Sequence, residues 1–191
     1  MELVFDLETN GLLDTVDTIH CLGMAVVGSK AGQIYANDLG TFMNYEFNSY
    51  ECLDEALDLM KDADTLIGHN IIAYDLPVLK KVLNWSPRKS TKIIDTLVLS
   101  RLVHPDLKEI DAKERKVEPK LWGSHSLKAW GQRLGVLKKT LGTVEGDVWS
   151  KFTPEMADYC IQDVSVSAHL KYCLLYTSDA ADDSLRVDLG G

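Results

Sequence analysis

Two carboxylates stand two residues apart, Asp6 and Glu8, inside the apolar run Leu3, Val4, Phe5 and Leu7 near the start of a 191-residue chain. In a strand, residues i and i+2 share a face, so this spacing projects Asp6 and Glu8 together from one surface while Phe5 and Leu7 enter the other. Like charges side by side are unfavourable unless something positive lies between them. A divalent ion such as Mg²⁺ or Mn²⁺ is the simplest oxygen-ligated partner. The pair is a weak signal alone, because exposed strand carboxylates are common. Two later segments offer further ligands. Leu66 to Leu79 reads as a short buried strand, a turn and an amphipathic helix. Asp75 falls in the first helical turn, where the macrodipole favours a carboxylate and Pro77 is tolerated. Tyr159 and Asp163 lie on a helix opened by Thr153, Pro154 and Glu155, and their i, i+4 spacing puts phenol and carboxylate on one face. Taken singly, Asp75 is a helix-start residue and Tyr159 with Asp163 an ordinary surface pair.

The elements that must position these groups can be read from periodicity and turn residues. Runs at Leu3 to Asp6, Ile19 to Val27 and Gln33 to Tyr35, punctuated by Asn10-Gly11 and Gly28 to Gly32, predict an antiparallel meander. From Tyr50 the period changes, with Leu53, Leu57 and Met60 at helical spacing, and a strand is expected over Thr65 to His69. A helix follows from about Ala73 to Leu83, then a short strand at Lys92 to Ile94 delivering Asp95, and a helix through Leu102. Pro105 to Trp122 interleaves five cations with acidic residues and reads as a solvated loop, with a lesser reading in which its cations touch nucleic acid. Ser124 or Ser126 is placed to cap a helix carrying Leu127, Trp130 and Leu134. Strands first and then strands alternating with helices give an α/β domain with a mixed sheet flanked by helices.

In order along the chain, Asp6 with Glu8, Asn70 followed by Tyr74 and Asp75, and Tyr159 with Asp163 resemble the DEDDy branch of the 3′–5′ exonucleases. Asp95 to His104 and Gly123 to Gly135 narrow this. They resemble the N-terminal proofreading domain of the family A DNA polymerases of short-tailed phages, and the resemblance covers Glu2 to about Tyr172. It implies a ribonuclease H-like fold and two divalent ions, Mg²⁺ or Mn²⁺, about 4 Å apart. By the same resemblance Asp6 bridges both ions, Glu8 and Asp163 hold the one that activates water, and Asp75 supports the second, largely through water. Tyr159 would orient the nucleophile, since a phenol stays protonated near neutrality and is a poor base without help. Thr9 and Leu12 would lie against the terminal nucleotide, and Asn70 would contact substrate. The implied partners are a single-stranded 3′ end of DNA and a C-terminal polymerase domain in the intact protein. Two alternatives stay open: a stand-alone DEDDy exonuclease acting on DNA or RNA, and a nucleic-acid-binding domain of the same fold without chemistry. His20, His69, His104 and His125 read as hydrogen-bonded structural residues, and no histidine stands five residues before Asp163, which argues against the DEDDh branch.

Residues 1–172 read as one domain, long enough to bury most of its apolar surface. The segment from Cys173 to Gly191 resembles the in-frame translation of a transposon-end sequencing adapter and is read as an artefactual tail, to be kept out of fold reasoning. The competing reading is a natural small, acidic C-terminal end. Net charge is −9, to which Asp179, Asp182, Asp183 and Asp188 against Arg186 contribute −3. An acidic balance argues against a sequence-reading duplex binder. It leaves a nuclease open, because metal ions offset the acidic site where phosphate docks. Cysteines 21, 52, 160 and 173 show no zinc spacing and read as thiols of a reducing cytosol. With no long apolar run and no signal-peptide pattern, a cytoplasmic protein that does not span a membrane is expected, in the setting of a phage-infected host.

Overall fold

Strand β1 (Glu2–Thr9) alternates Leu3, Phe5 and Leu7 with Val4, Asp6 and Glu8, so each face has an apolar root and one face carries the acids. The computed structural model describes residues 1–27, 32–36, 50–51, 53–136, 149 and 151–186, with side chains over 1–27, 53–136, 149 and 151–175. β1 pairs antiparallel with β2 (Ile19–Val26), which pairs antiparallel with β3 (Gly32–Ala36), forming the expected meander. On its other side β1 pairs in parallel with β5 (Thr65–Gly68), and β5 with β6 (Lys92–Asp95). A two-residue β4 (Tyr50–Glu51) lies parallel to β3, giving the order β4-β3-β2-β1-β5-β6. The sheet is therefore mixed, as the sequence predicts, and the acid-bearing strand lies near its middle.

Helices cover both faces. Leu3, Phe5, Leu7, Leu22 and Met24 pack against α1 (Leu53–Asp62) through Ala56 and Met60 and against α2 (Asp75–Leu83) through Val78 and Leu79. On the acid-bearing face lies α6 (Pro154–Arg186), which seats Val164 on Val4 and Ile67, and Met156, Ala157 and Cys160 on Cys21. Farther along, Val166, Leu170 and Leu174 of α6 meet Leu107, Leu127 and Trp130. These three belong to α4 (Leu107–Glu114) and α5 (Leu127–Leu134), while α3 (Thr96–Val103) follows β6 and adds Leu99 to the same cluster.

Two features differ from the sequence reading. β1 extends to Thr9, beyond the Leu3 to Asp6 run, keeping Glu8 on the strand face that its spacing from Asp6 predicts, and the register shifts at Glu8/Thr9. The segment Pro105 to Trp122 is not a loop throughout, since it holds α4 and a 3₁₀ turn at Pro119–Leu121. Its charge pattern hides one inward stripe. Leu107 and Asp111, at i and i+4, are both buried, and Asp111 is met by two guanidinium contacts from Arg133, at 2.9 and 2.7 Å. Helix α6 runs through Tyr172 to Arg186, with Leu174 buried, which leaves the reading of residues 173–191 as a tail untested. Among the described residues, no helix is long and apolar enough to cross a membrane.

Gly23 decides how closely α6 approaches the sheet. It faces Asp6 across the β1–β2 ladder, and a Cβ there would lie 2.8 Å from Cys160 Sγ and 3.2 Å from Val164 Cγ2. The helix occupies the space a side chain would take. Gly23→Ala is therefore expected to destabilise the fold by about 1–3 kcal/mol, as overpacking does. Adding Cys160→Ala should recover part of that loss, measured as a favourable coupling in a double-mutant cycle of urea unfolding. Additive losses would show that the contact is not the constraint.

Candidate active site

Asp6 and Glu8 leave β1 on the face that α6 covers. A carboxylate oxygen of each and the Cys160 sulfur all lie within 4.8 Å of one another. Cys160 Sγ sits 3.5 Å from the Asp6 carbonyl oxygen and 3.9 Å from Asp6 Oδ2. Burial, then its contact with Cys21 and the charges of Asp6 and Glu8, push the Cys160 thiol well above its ordinary pKa, so it is a neutral donor in this setting. Asp163 is buried one residue before Val164, with its Oδ1 closed off from solvent, and Tyr159 is half-buried one residue before Cys160. The residues that seat α6 on β1 and β2 thus flank the acid and the phenol singled out by the sequence.

Asp75 reaches the same region from the start of α2. β1 pairs with β5 only as far as Val4, and beyond that point the Leu7 N–H donates to Asp75 Oδ1 at 3.1 Å. A side chain takes the place of the missing strand. Burial pushes the Asp75 carboxyl up to about 7; backbone hydrogen bonds oppose this, and the nearby Asp95 charge adds to it. Asp95 is itself buried and accepts from the N–H groups of Asn70, Ile72, Leu97 and Val98. It caps α3 and fixes the turn that leads into Asp75. His69, beside that turn, bonds Thr96 Oγ1 at 2.9 Å, as expected of a structural histidine.

Two clefts open on this region. The first, about 370 Å³, is lined by Leu7, Glu8, Thr9, Leu12, Tyr74 and Trp149 among others. Thr9 and Leu12 thus adjoin Glu8, and Leu12 is 74% exposed, an apolar side chain at the cleft wall. Tyr74 Oη donates to the Gly11 carbonyl and lies 2.5 Å from Thr9 Oγ1, tying the loop after β1 to α2. Asn70 lines the second cleft, about 580 Å³, with His69, Leu97, Arg101 and His125. Its φ of 66° puts it in the left-handed region that asparagine tolerates. The structure therefore separates Asn70 from Thr9 and Leu12, with the turn to Asp75 between them.

Four residues that shape this region gain roles that the sequence does not assign them: Tyr74, which reads there as a neighbour of Asp75, Asp95 as the end of a strand, Cys160 as a thiol, and Trp149, which no motif includes. A carboxylate directly before a helix was a readable capping signal for Asp95. For Trp149, whose carbonyl oxygen lies 2.8 Å from His20 Nε2, no local pattern exists, since its place in the cleft depends on residues more than a hundred positions away.

The donor set suits a hard divalent cation. Among the described residues, the donor atoms gathered within 4.8 Å are those of Asp6, Glu8 and Cys160, two of the three being carboxylates; Asp75 and Asp163 are buried but do not belong to that group.

Similarity to known proteins agrees with this geometry. Residues 3–174 match the family model described as RNase_H superfamily. The chain is 34% identical over 197 residues to the DNA-directed DNA polymerase of Enterobacteria phage T3 and 33% identical to that of Escherichia phage T7. Each alignment covers 91% of this chain but 26% of the polymerase, so the chain spans about a quarter of those relatives. Among solved structures, Brucella melitensis NrnC superposes with a TM-score of 0.64 at 17% identity, covering 97% of this chain and 77% of that one. NrnC with bound Mg²⁺ gives 0.61 at 16% identity, covering 97% and 77%. These structural likenesses establish the fold.

A pH dependence follows from Asp75. With a folded pKa of about 7 against an ordinary 3.8, the folded chain binds more protons than the unfolded chain between those values. Stability of the metal-free protein therefore falls as pH rises through that window, by an amount on the order of a few kcal/mol. Asp75→Asn keeps an acceptor for the Leu7 N–H and cannot ionise. Urea unfolding in chelator is expected to show the variant gaining on the native chain from about pH 4 to about pH 7, and a constant difference would refute the assignment.

Proposed function

Because the chain belongs to the RNase H superfamily, we propose that it is a metal-dependent 3′–5′ exonuclease of the DEDDy type, acting on a single-stranded DNA end as the proofreading part of a phage DNA polymerase. The observation that carries this reading is the pairing of Asp6 and Glu8 on one strand face, beside the cleft lined by Thr9, Leu12, Tyr74 and Trp149. Asp6, Glu8 and Asp163 would hold one divalent ion, with Asp6 and Asp75 serving a second. Bound there, the ions would supply an activated water and charge stabilisation at the departing 3′ oxygen.

The chain's own residues do the rest. The first cleft is of the size of small-ligand sites and suits one nucleotide. Tyr74 and Trp149 offer aromatic faces for a base, Leu12 an apolar wall, and Thr9 a hydroxyl for the terminal sugar. Tyr159 orients the attacking water from α6 while remaining protonated. Asn70 and Arg101 of the second cleft meet the strand upstream of the terminal nucleotide. Hydrolysis releases a nucleoside monophosphate. The polymerase context rests on the alignments to the two phage enzymes, of which this chain matches only about a quarter.

Digestion of a 3′-labelled single-stranded oligonucleotide with Mg²⁺, and none with EDTA, is the test. Asp6→Ala or Asp163→Ala should lower the rate roughly 10²–10³-fold, the scale for losing a charge-stabilising group, while leaving metal-free thermal unfolding little changed. Unimpaired digestion by the Asp6 variant would sink the mechanism. For Tyr159→Phe a smaller loss is expected, below about 10²-fold, since orientation and not proton transfer is removed. An inactive Tyr159→Phe variant that still binds metal would give the phenol a larger part.

A further inference from the structure

We propose that Cys160, together with Asp6 and Glu8, forms a mixed sulfur–oxygen site that captures a thiophilic divalent cation of the Zn²⁺ kind and thereby blocks the nuclease. The blocking rests on the functional reading above; the capture does not.

The ligands are already gathered. Asp6, Glu8 and Cys160 present their donor atoms within 4.8 Å of one another, and Glu8 and Cys160 are buried. Cys21 lies opposite Glu8 in the β1–β2 register, so it shares their sheet face, and its side chain contacts that of Cys160. Tetrahedral zinc with sulfur at about 2.3 Å and oxygen at about 2.0 Å spaces those two ligands about 3.5 Å apart. Cys160 Sγ and Asp6 Oδ2 are 3.9 Å apart, a few tenths of an ångström from that value. Sulfur cannot retreat from the carboxylates, because the slot it fills is the one left by the absent Cβ of Gly23.

Chemistry separates this cation from the one that serves hydrolysis. Mg²⁺ takes oxygen ligands in octahedral geometry and has little affinity for thiolate, so it leaves Cys160 protonated. A thiophilic ion instead forms a metal–sulfur bond as the S–H bond breaks, and the proton passes to solvent. It then shares Asp6 and Glu8 with the site that the hard ion needs. Without Cys160 the remaining carboxylates would not discriminate sharply on softness.

The experiment uses the full chain, reduced and freed of metal with chelator, and Co²⁺ as a spectroscopic probe. A sulfur-to-cobalt charge-transfer band in the near ultraviolet is expected, abolished by stoichiometric Zn²⁺ and retained in excess Mg²⁺. Cys160→Ser should remove the band and Cys173→Ser should keep it. In Mg²⁺-dependent digestion, Zn²⁺ should inhibit the native chain, and Cys160→Ser should raise the inhibitory concentration at least about tenfold, each variant scored against its own zinc-free rate; that is about 1.4 kcal/mol of affinity. No band in the native chain, an equal band in Cys160→Ser, or full digestion by a zinc-saturated native chain overturns the proposal. Should Cys160→Ser not fold, Cys160→Ala and the native spectrum decide by the same criteria. A band with no digestion in Mg²⁺ would overturn the nuclease reading alone, because the spectrum does not depend on turnover.

Discussion

Negative charge withheld from water is the constraint on which this structure turns. Glu8, Asp75, Asp95, Asp111 and Asp163 are all less than one-tenth exposed, and an unpartnered buried carboxylate is costly. The fold answers three of these cases in different ways. Asp111 is met by a guanidinium, Asp95 by four backbone N–H groups, and Asp75 by backbone N–H groups, that of Leu7 among them, together with a raised affinity for its proton. Where backbone donors are used, they are ones that regular structure leaves over: a strand that has outrun its neighbour, a helix that has just begun, a turn between the two. The acids can therefore lie at the ends of elements without dismantling the ladders beside them.

Local pattern carried the parts of the fold that depend on near neighbours. The alternation around Asp6, the helical spacing of Leu53, Leu57 and Met60 and the strand before His69 all emerge where expected, because each is fixed by which side chains must be buried along one element. The failures have a common cause. Between Pro105 and Trp122 the apolar signal is thin, and the inward face of Leu107 to Glu114 buries Asp111 against Arg133, which is 22 residues away in sequence. Trp149 joins Thr9 and Leu12 in one cleft only through the tertiary fold, and the nearness of Cys160 to Asp6 needs a glycine on a third element. The candidate acids were legible as residue types in order; the surroundings that shift their chemistry were not.

The two clefts give the acid cluster a direction. Tyr74 lines one, Asn70 the other, and the turn held by Asp95 joins them beside the Asp75 end of α2. Rigid placement of that turn by buried hydrogen bonds, rather than by loop packing, keeps the two openings in fixed relation. His125, bonded to Ser100, and His69, bonded to Thr96, brace the second opening from α3.

Helix α6 is gripped twice, near Cys160 and Val164 by the sheet and near Leu170 and Leu174 by Leu107, Leu127 and Trp130. Cys160 and Leu174 are about 20 Å apart along the axis. Asp163 and Tyr159 sit at the sheet end of that span. A rod held at two stations cannot pivot freely at either, so the seating of Tyr159 and Asp163 over β1 draws on the outer apolar contacts as well as on the sheet.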